Sequence, residues 1–368
     1  MRILGIVTLV SPNAEYGGPL RVAVNQLVAL RDRGHDVVLA GGHRGFDGAP
    51  PSDLEGVPTR LFPAHTLVPG TGFAGLAAPG LWRAMRIHAD EFDAVHIHAA
   101  RDLVTLPSAR IVQSRGIRTV LQTHGMIDES TNPLAVPLDA ALTRPALRAA
   151  AHVAYLTPEE RDSLGVVSRG AARLAEVTNG VPMGEPRDHS STDSRVLYLA
   201  RLAPRKRPGL FVHAATELAA EFPDSEFVLV GPDEGEAPAV EAAIAASGHS
   251  DRIRWDGPVS PGDTSTQMRR AAVFVLPSVD EPYPMSVLEA MAEALPVIVT
   301  SSCGLAPFIT AHRAGIVVDD SAGALVEAVR TMLRDPGAAA DMGRRGRAAV
   351  VAERSMDAVA ERLEGLYR

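Results

Sequence analysis

Apolar runs and amphipathic stretches alternate along most of this chain. RILGIVTLV, residues 2–10, is almost continuously apolar, the pattern of a strand buried on both faces. After a polar, Gly-containing loop, PLRVAVNQLVALRDRG carries apolar residues at helical spacing and stops at Gly34, a C-cap residue. HDVVLAG reads as a strand, and a Gly/Pro-rich excursion follows it. LWRAMRIHADE reads as a helix, AVHIHA as a strand, LVTLPSARIVQSRG as a helix, and RTVLQTH and HVAYLT as strands. The pattern breaks at PMGEPRDHSSTDS, a polar stretch without periodicity, which predicts a linker over 183–194. Then it restarts. VLYLARL, EFVLVG, RIRWDG, AVFVLPS and PVIVTS read as strands, with PGLFVHAATELAAEF, AVEAAIAASG, SVLEAMAEA and GALVEAVRTMLRD as helices. The expected fold class is α/β: two Rossmann-like domains in tandem facing across a deep cleft, with ligands at the carboxyl ends of the strands.

Composition agrees with that reading. A chain of 368 residues suits two domains, and with only 4% aromatic residues the core must be Ala, Val, Leu and Ile, as in parallel sheets covered by helices. A net charge of −8 argues against broad nucleic-acid binding. The single cysteine, Cys303, follows an apolar strand and reads as a buried, inert thiol. MRILGIVTLV has one basic residue and a short apolar run before Ser-Pro-Asn, so a first strand is a better reading than a signal peptide. No apolar run approaches the roughly 18 residues of a spanning helix. These features predict a cytoplasmic protein. The loop after the first strand, SPNAEYGGPL, contains no G-x-G-x-x-G, and no G-x-x-x-x-G-K-[ST] occurs anywhere, which removes the main support for a dehydrogenase or a P-loop enzyme.

Two segments carry candidate chemistry. In SVDEPYPMSVLEAM, Ser286 and Glu289 have the spacing of a capping box, so Glu289 reads equally as a helix-start residue and as a ligand. Glu281 lies before that helix at a strand end, where a carboxylate can accept two hydroxyl hydrogen bonds from a sugar diol. The amides of Met285, Ser286 and Val287 would open a helix N-terminus, a site for phosphate. In LARLAPRKRPG, Arg201, Arg205, Lys206 and Arg207 bring cations to another strand end. Arg201 and Lys206 suit a diphosphate there, whereas Arg205 and Arg207 read as a solvated face.

These pieces, with Gly17-Gly18, DAVHIHA, QTHG, TNGV, FVLVGP, the E-x7-E segment with EAMAEALPVIVT, and AGIVVD, keep an order that spans nearly the whole chain. The sequence resembles glycosyltransferase family 4, retaining nucleotide-sugar glycosyltransferases of the GT-B fold. The resemblance implies an acceptor-binding domain over 1–182, completed by a C-terminal helix in 352–368, and a nucleotide-sugar domain over 195–351. It implies that Glu281 contacts donor-sugar hydroxyls and Glu289 the ribose. Arg201 and Lys206 would neutralise the diphosphate, and His124 would reach the transferred sugar. Gly17, Gly18, Gly231 and Val259 complete the donor set with the Met285–Val287 amides. His98, Arg101 and Asp102 are the acceptor candidates, with His96 equally readable as packed. Two departures stand out: Tyr283-Pro284 replaces a usual Phe-Gly, removing one amide, and Ala294 stands where glycine is frequent, a change read as neutral.

The expected activity is metal-independent transfer of a sugar from a UDP- or GDP-linked donor to a glycan, lipid-linked or small-molecule acceptor. No cofactor beyond the donor substrate and no nucleic-acid partner are expected. The rivals are an inactive nucleotide-sugar-binding subunit and a sugar-nucleotide epimerase. Residues 66–82, TLVPGTGFAGLAAPGLW, read either as a loop packed on its own domain or as a peripheral membrane contact at the cytoplasmic face.

Overall fold

A computed structural model describes residues 1–12, 17–130, 132, 134–184 and 194–368. Most of the expected linker, 185–193, and part of the first loop, 13–16, lie outside the described residues. The chain forms two compact units. One is Met1–Gly180 together with Met356–Arg368; the other is Val181–Ser355.

Strands in the first unit are β1 (Arg2–Val10), β2 (Asp36–His43), β3 (Asp53–Leu54), β4 (Val57–Pro63), β5 (His65–Thr66), β6 (Leu76–Ala77), β7 (Ala94–His98), β8 (Arg118–Gln122), β9 (His152–Tyr155) and β10 (Leu174–Glu176). Eight of them form one sheet in the order β10-β9-β8-β7-β1-β2-β4-β3, parallel except for the β3–β4 pair. The helix Gly17–Asp32 ends as expected: Gly34 takes φ +91°, and His35 N–H reaches back to the Leu30 carbonyl at 3.1 Å. The Gly/Pro-rich excursion is not all loop, because β4 pairs with β2 along five residues. Prolines at both of its ends and half-buried side chains hid it. The helix Met356–Tyr367 docks on this unit, where Glu364 accepts from Arg33 Nε at 2.7 Å and contacts His35 at 3.0 Å.

The second unit holds β11 (Val196–Leu199), β12 (Phe227–Val230), β13 (Ile253–Trp255), β14 (Val273–Leu276), β15 (Val297–Thr300) and β16 (Gly315–Val318), all parallel, in the order β13-β12-β11-β14-β15-β16. That order places a topological switch point between β11 and β14, as β1 and β7 do in the first unit. Both cores are built mainly of Val, Leu, Ile and Ala.

Candidate active site

In the second unit the two segments singled out by sequence leave the sheet side by side, after β11 and after β14. A short turn, Pro204–Lys206, lowers Lys206 into the protein, and Arg207 closes it in a left-handed conformation with φ +52°. Lys206 Nζ donates to the Glu281 carboxylate, and both side chains are about nine-tenths buried. Arg205 Nη1 reaches the same carboxylate oxygen at 2.9 Å and the Asp280 carbonyl at 3.0 Å. The Glu281 carbonyl takes the Gly304 N–H at 2.8 Å. Gly304 must be glycine here, since a Cβ would stand 1.9 Å from the Pro282 oxygen. Asp280, at φ +48°, adds a second strained residue beside the carboxylate.

The helix after Glu281 runs Met285–Ala292, with Pro284 as its N-cap in an extended conformation. Ser286 is therefore the second helical residue, and the expected Ser286–Glu289 capping box does not form. Glu289 is half-buried one turn further on. Pro284 supplies no N–H, but the Met285 and Ser286 amides open the first turn, which a helix cannot satisfy from within, whereas the Val287 N–H, also expected to be open, is taken by the Pro284 carbonyl at 3.2 Å. Arg201 stands apart from the buried pair. Its exposed guanidinium meets Glu234 at 2.6 Å.

In the first unit three imidazoles form a stack. His96 and His98 lie parallel with ring centroids 4.7 Å apart, and His98 and His124 with 5.0 Å. His96 Nδ1 is 2.6 Å from the Tyr367 hydroxyl, and His98 Nδ1 is 2.8 Å from His124 Nε2. Burial holds all three neutral, with His96 down to about 3, His124 to about 4 and His98 well below the usual range. Gly18 is exposed at the start of the helix Gly17–Asp32, and among the described residues, its chain neighbours and its own helix backbone aside, no atom lies within 4 Å of where its Cβ would stand. Packing against the described residues therefore does not require a glycine there. Among the described residues no group of three or more His, Cys, Asp or Glu could hold a metal ion.

Family models match the chain in tandem. Residues 17–180 match the Glycosyl transferase 4-like domain and residues 185–349 match Glycosyl transferases group 1. The chain is a group 1 glycosyltransferase of the GT-B fold. This glycosyltransferase is 28% identical to the alpha-D-kanosaminyltransferase of Streptomyces kanamyceticus over 69% of this chain and 71% of that protein. It is 32% identical to the 2-deoxystreptamine N-acetyl-D-glucosaminyltransferase of Niallia circulans, over 38% of this chain and 36% of that one. Among solved structures, the Anabaena protein HepE in complex with UDP matches with a TM-score of 0.71 at 17% identity, covering 99% of each chain. Sucrose-phosphate synthase from Thermosynechococcus elongatus matches with 0.70 at 22%, covering 100% of this chain and 98% of that one.

Several candidates of the glycosyltransferase prove to be engaged within their own unit. Asp102 is fully buried, and its carboxylate accepts from the Val104 and Thr105 amides and the Thr8 and Thr105 hydroxyls, at 2.6–3.0 Å. Burial nevertheless raises it to about 6. It caps the helix Thr105–Ser114 rather than meeting an acceptor. Arg101 forms a two-pronged pair with Asp139 at 2.9 and 3.1 Å and also holds Asp128 at 3.1 Å, so it too braces the fold. Gly231, at φ +147°, gives its N–H to Gly257, and a Cβ would stand 1.9 Å from the Ala200 oxygen. Its glycine serves strand contact, not a donor amide. Val259 is half-buried against the core. Cys303 is buried and its thiol is pushed up to about 11, chiefly by that burial, so it is inert as expected.

Conversely, Arg205, read as solvated, joins Glu281. Gly304 was missed; its glycine between an apolar strand and a helix start was the only sequence signal. Loop 66–82 divides: Leu67 and Val68 are exposed, while Leu76, Ala77, Ala78 and Leu81 are buried. No helix among the described residues is long and apolar enough to cross a membrane.

Proposed function

We propose that this glycosyltransferase moves a sugar from a UDP- or GDP-linked donor to an acceptor hydroxyl in the cytoplasm, with retention at the anomeric carbon and without a divalent metal. The observation that carries the reading is the buried Lys206–Glu281 pair, flanked by Arg205 and by the first turn of the helix Met285–Ala292. Glu281 is an acceptor for sugar hydroxyls. Lys206, Arg205, Arg201 and the Met285 and Ser286 amides supply positive potential for the diphosphate, whose charge grows as the glycosidic bond breaks. Glu289 is assigned to the ribose. His124 is assigned to the transferred sugar as a neutral imidazole, and His98 stands behind it.

HepE was seen with UDP and with UDP-glucose, which supports uridine nucleotides as the first donors to test. The names of the relatives point to small hydroxylated rings as the first acceptors, 2-deoxystreptamine and D-inositol 3-phosphate among them. UDP- and GDP-sugars should therefore be screened against these acceptors, with and without excess chelator. Turnover is expected in chelator and should fall by about a hundredfold or more in Glu281→Gln and Lys206→Met. No turnover with any pair, or turnover unchanged in both variants, overturns the assignment; activity lost in chelator and restored by magnesium overturns its metal-free part. Peripheral membrane contact through Leu67 and Val68 predicts flotation with anionic liposomes that Leu67→Ser/Val68→Ser abolishes. Equal flotation of the two proteins contradicts it.

A further inference from the structure

Thr123–Met126 form a tight turn with both central residues left-handed. His124 has φ +52° and Gly125 φ +73°, and Met126 N–H closes the turn on the Thr123 carbonyl at 2.8 Å. Glycine and asparagine fill such positions at little cost, but a histidine pushes its Cβ against the backbone. Something outside the turn must hold it.

The helix Pro158–Ser168 provides the hold. Its third residue, Glu160, is buried, and its own N–H is fixed by the Thr157 hydroxyl at 3.2 Å. In a capping box the glutamate would bond the N-cap N–H. Here Oε2 goes one residue further back, to Leu156 N–H at 2.6 Å. Oε1 leaves the helix and accepts from the Thr123 hydroxyl and the Gly125 N–H, each at 2.5 Å. One carboxylate thus ties the end of β8, the turn and the end of β9 together. His98 holds the ring from the other side, at Nε2, which leaves Nδ1 as the nitrogen that can meet a substrate.

We propose that Glu160 is the positioning residue of His124, holding it in the left-handed turn so that its ring lies on His98 and its Nδ1 is presented to the sugar. The inference rests on the reading of His124 given above, but its first test needs no substrate. In the full chain labelled with 15N-histidine, long-range proton–nitrogen spectra should show His124 in one neutral tautomer across about pH 6 to 8. The Gly125 amide proton should lie downfield, as bonding to a carboxylate requires. In Glu160→Gln the His124 signals should move towards tautomer averaging and the Gly125 proton upfield, while His96, held by Tyr367, keeps its pattern. Thr123→Val removes one of the three donors and should give a smaller shift in the same direction, so the idea stays testable if Glu160→Gln folds poorly. Unchanged His124 and Gly125 signals in either folded variant overturn the proposal.

The second readout is kinetic. With a turned-over sugar nucleotide, Glu160→Gln should lower kcat about tenfold or more with donor KM within about threefold. In a His124→Ala background the same substitution should change kcat by less than about twofold. Equal losses in both backgrounds would show a merely structural role. If His124→Ala turns over like the native chain, the role given to His124 falls, and the spectra alone then judge Glu160.

Discussion

The Lys206–Glu281 pair sets a test that separates its contributions to stability and to function. At about 3 Å and an effective dielectric near 20, each cation attracts the carboxylate by about 5 kcal/mol, most of it offset by the desolvation of buried ions. Glu281→Gln leaves a nearly buried ammonium and a partly exposed guanidinium without their counter-charge, and should cost about 3 kcal/mol. Lys206→Met is milder, about 1–2 kcal/mol, because Arg205 still meets Glu281 at 2.9 Å. The double variant removes both buried charges and should cost about 2 kcal/mol, giving a coupling energy of about 2 kcal/mol or more. Urea unfolding reads this in the second unit through Trp255, with Trp82→Phe silencing the first unit's indole in every variant. Nucleotide binding should respond with opposite signs. Lys206→Met loses a diphosphate contact, so UDP should bind about tenfold more weakly or worse. Glu281→Gln frees two cations, so UDP should bind as tightly as before or up to about tenfold tighter, while turnover collapses. Additive stabilities within about 0.5 kcal/mol, or weaker UDP binding in both variants, would refute this account of the pair.

Three further outcomes follow from the same geometry. On acidification the first unit should weaken before the second. Its three stacked imidazoles resist protonation that the unfolded chain accepts near 6.5, so their contribution is complete above that pH and is lost as pH falls towards 4. Asp102 opposes them with one proton between about 6 and 3.8, and Glu364, held down to about 2 chiefly by its hydrogen bonds with Arg33 and His35, adds a loss below 4.5. A thermal midpoint for Trp82 that stays flat between about pH 7 and 5 would contradict this sign. Gly304→Ala forces the Pro282 carbonyl, and with it Glu281, to move. It should cost about 2 kcal/mol in unfolding experiments and about tenfold in turnover, and native values of both would remove Gly304 from the site. Arg201→Ala breaks only an exposed pair with Glu234, so stability should change by under about 0.5 kcal/mol while turnover falls about tenfold; the reverse pattern would make Arg201 structural.

Much of the fold was legible because parallel strands buried on both faces leave unbroken apolar runs, as in β1 and β14. What escaped did so for identifiable reasons. The helix Pro336–Glu353 contains glycines that weaken its pattern, yet Gly343 is where a Cβ would stand 1.9 Å from the Ala294 carbonyl, and close packing explains it. Ala294 has φ +60° and ends the helix Met285–Ala292, with Leu295 N–H on the Ala290 carbonyl at 2.9 Å. Glycine there would relieve about 1–2 kcal/mol of strain but lose a buried methyl of about 0.8 and gain about 0.4–1 of unfolded-state entropy. Those terms nearly cancel, so alanine is tolerated where the family resemblance makes glycine the frequent residue.

The site was legible in position and much less so in availability. Strand order and strand ends place Arg201, Lys206, Glu281, Arg101 and Asp102 in loops where ligands bind. Whether a group there is free depends on partners far along the chain, such as Asp139 for Arg101 or Glu281 for Lys206, and no local spacing reveals them. The capping signal at Thr157–Glu160 was present in the sequence, but its carboxylate bonds a turn that only the folded sheet brings near. Two buried ion pairs show what distinguishes a brace from a site. Arg101 spreads its donors over both oxygens of Asp139 and over Asp128, which leaves it little to offer. The Lys206 ammonium has three protons and, among the described residues, gives a hydrogen bond only to Glu281. A buried cation with donors to spare, next to a carboxylate, differs from such a brace, and that difference is why we propose Lys206 as a ligand of the donor diphosphate, whose oxygens carry the charge to match.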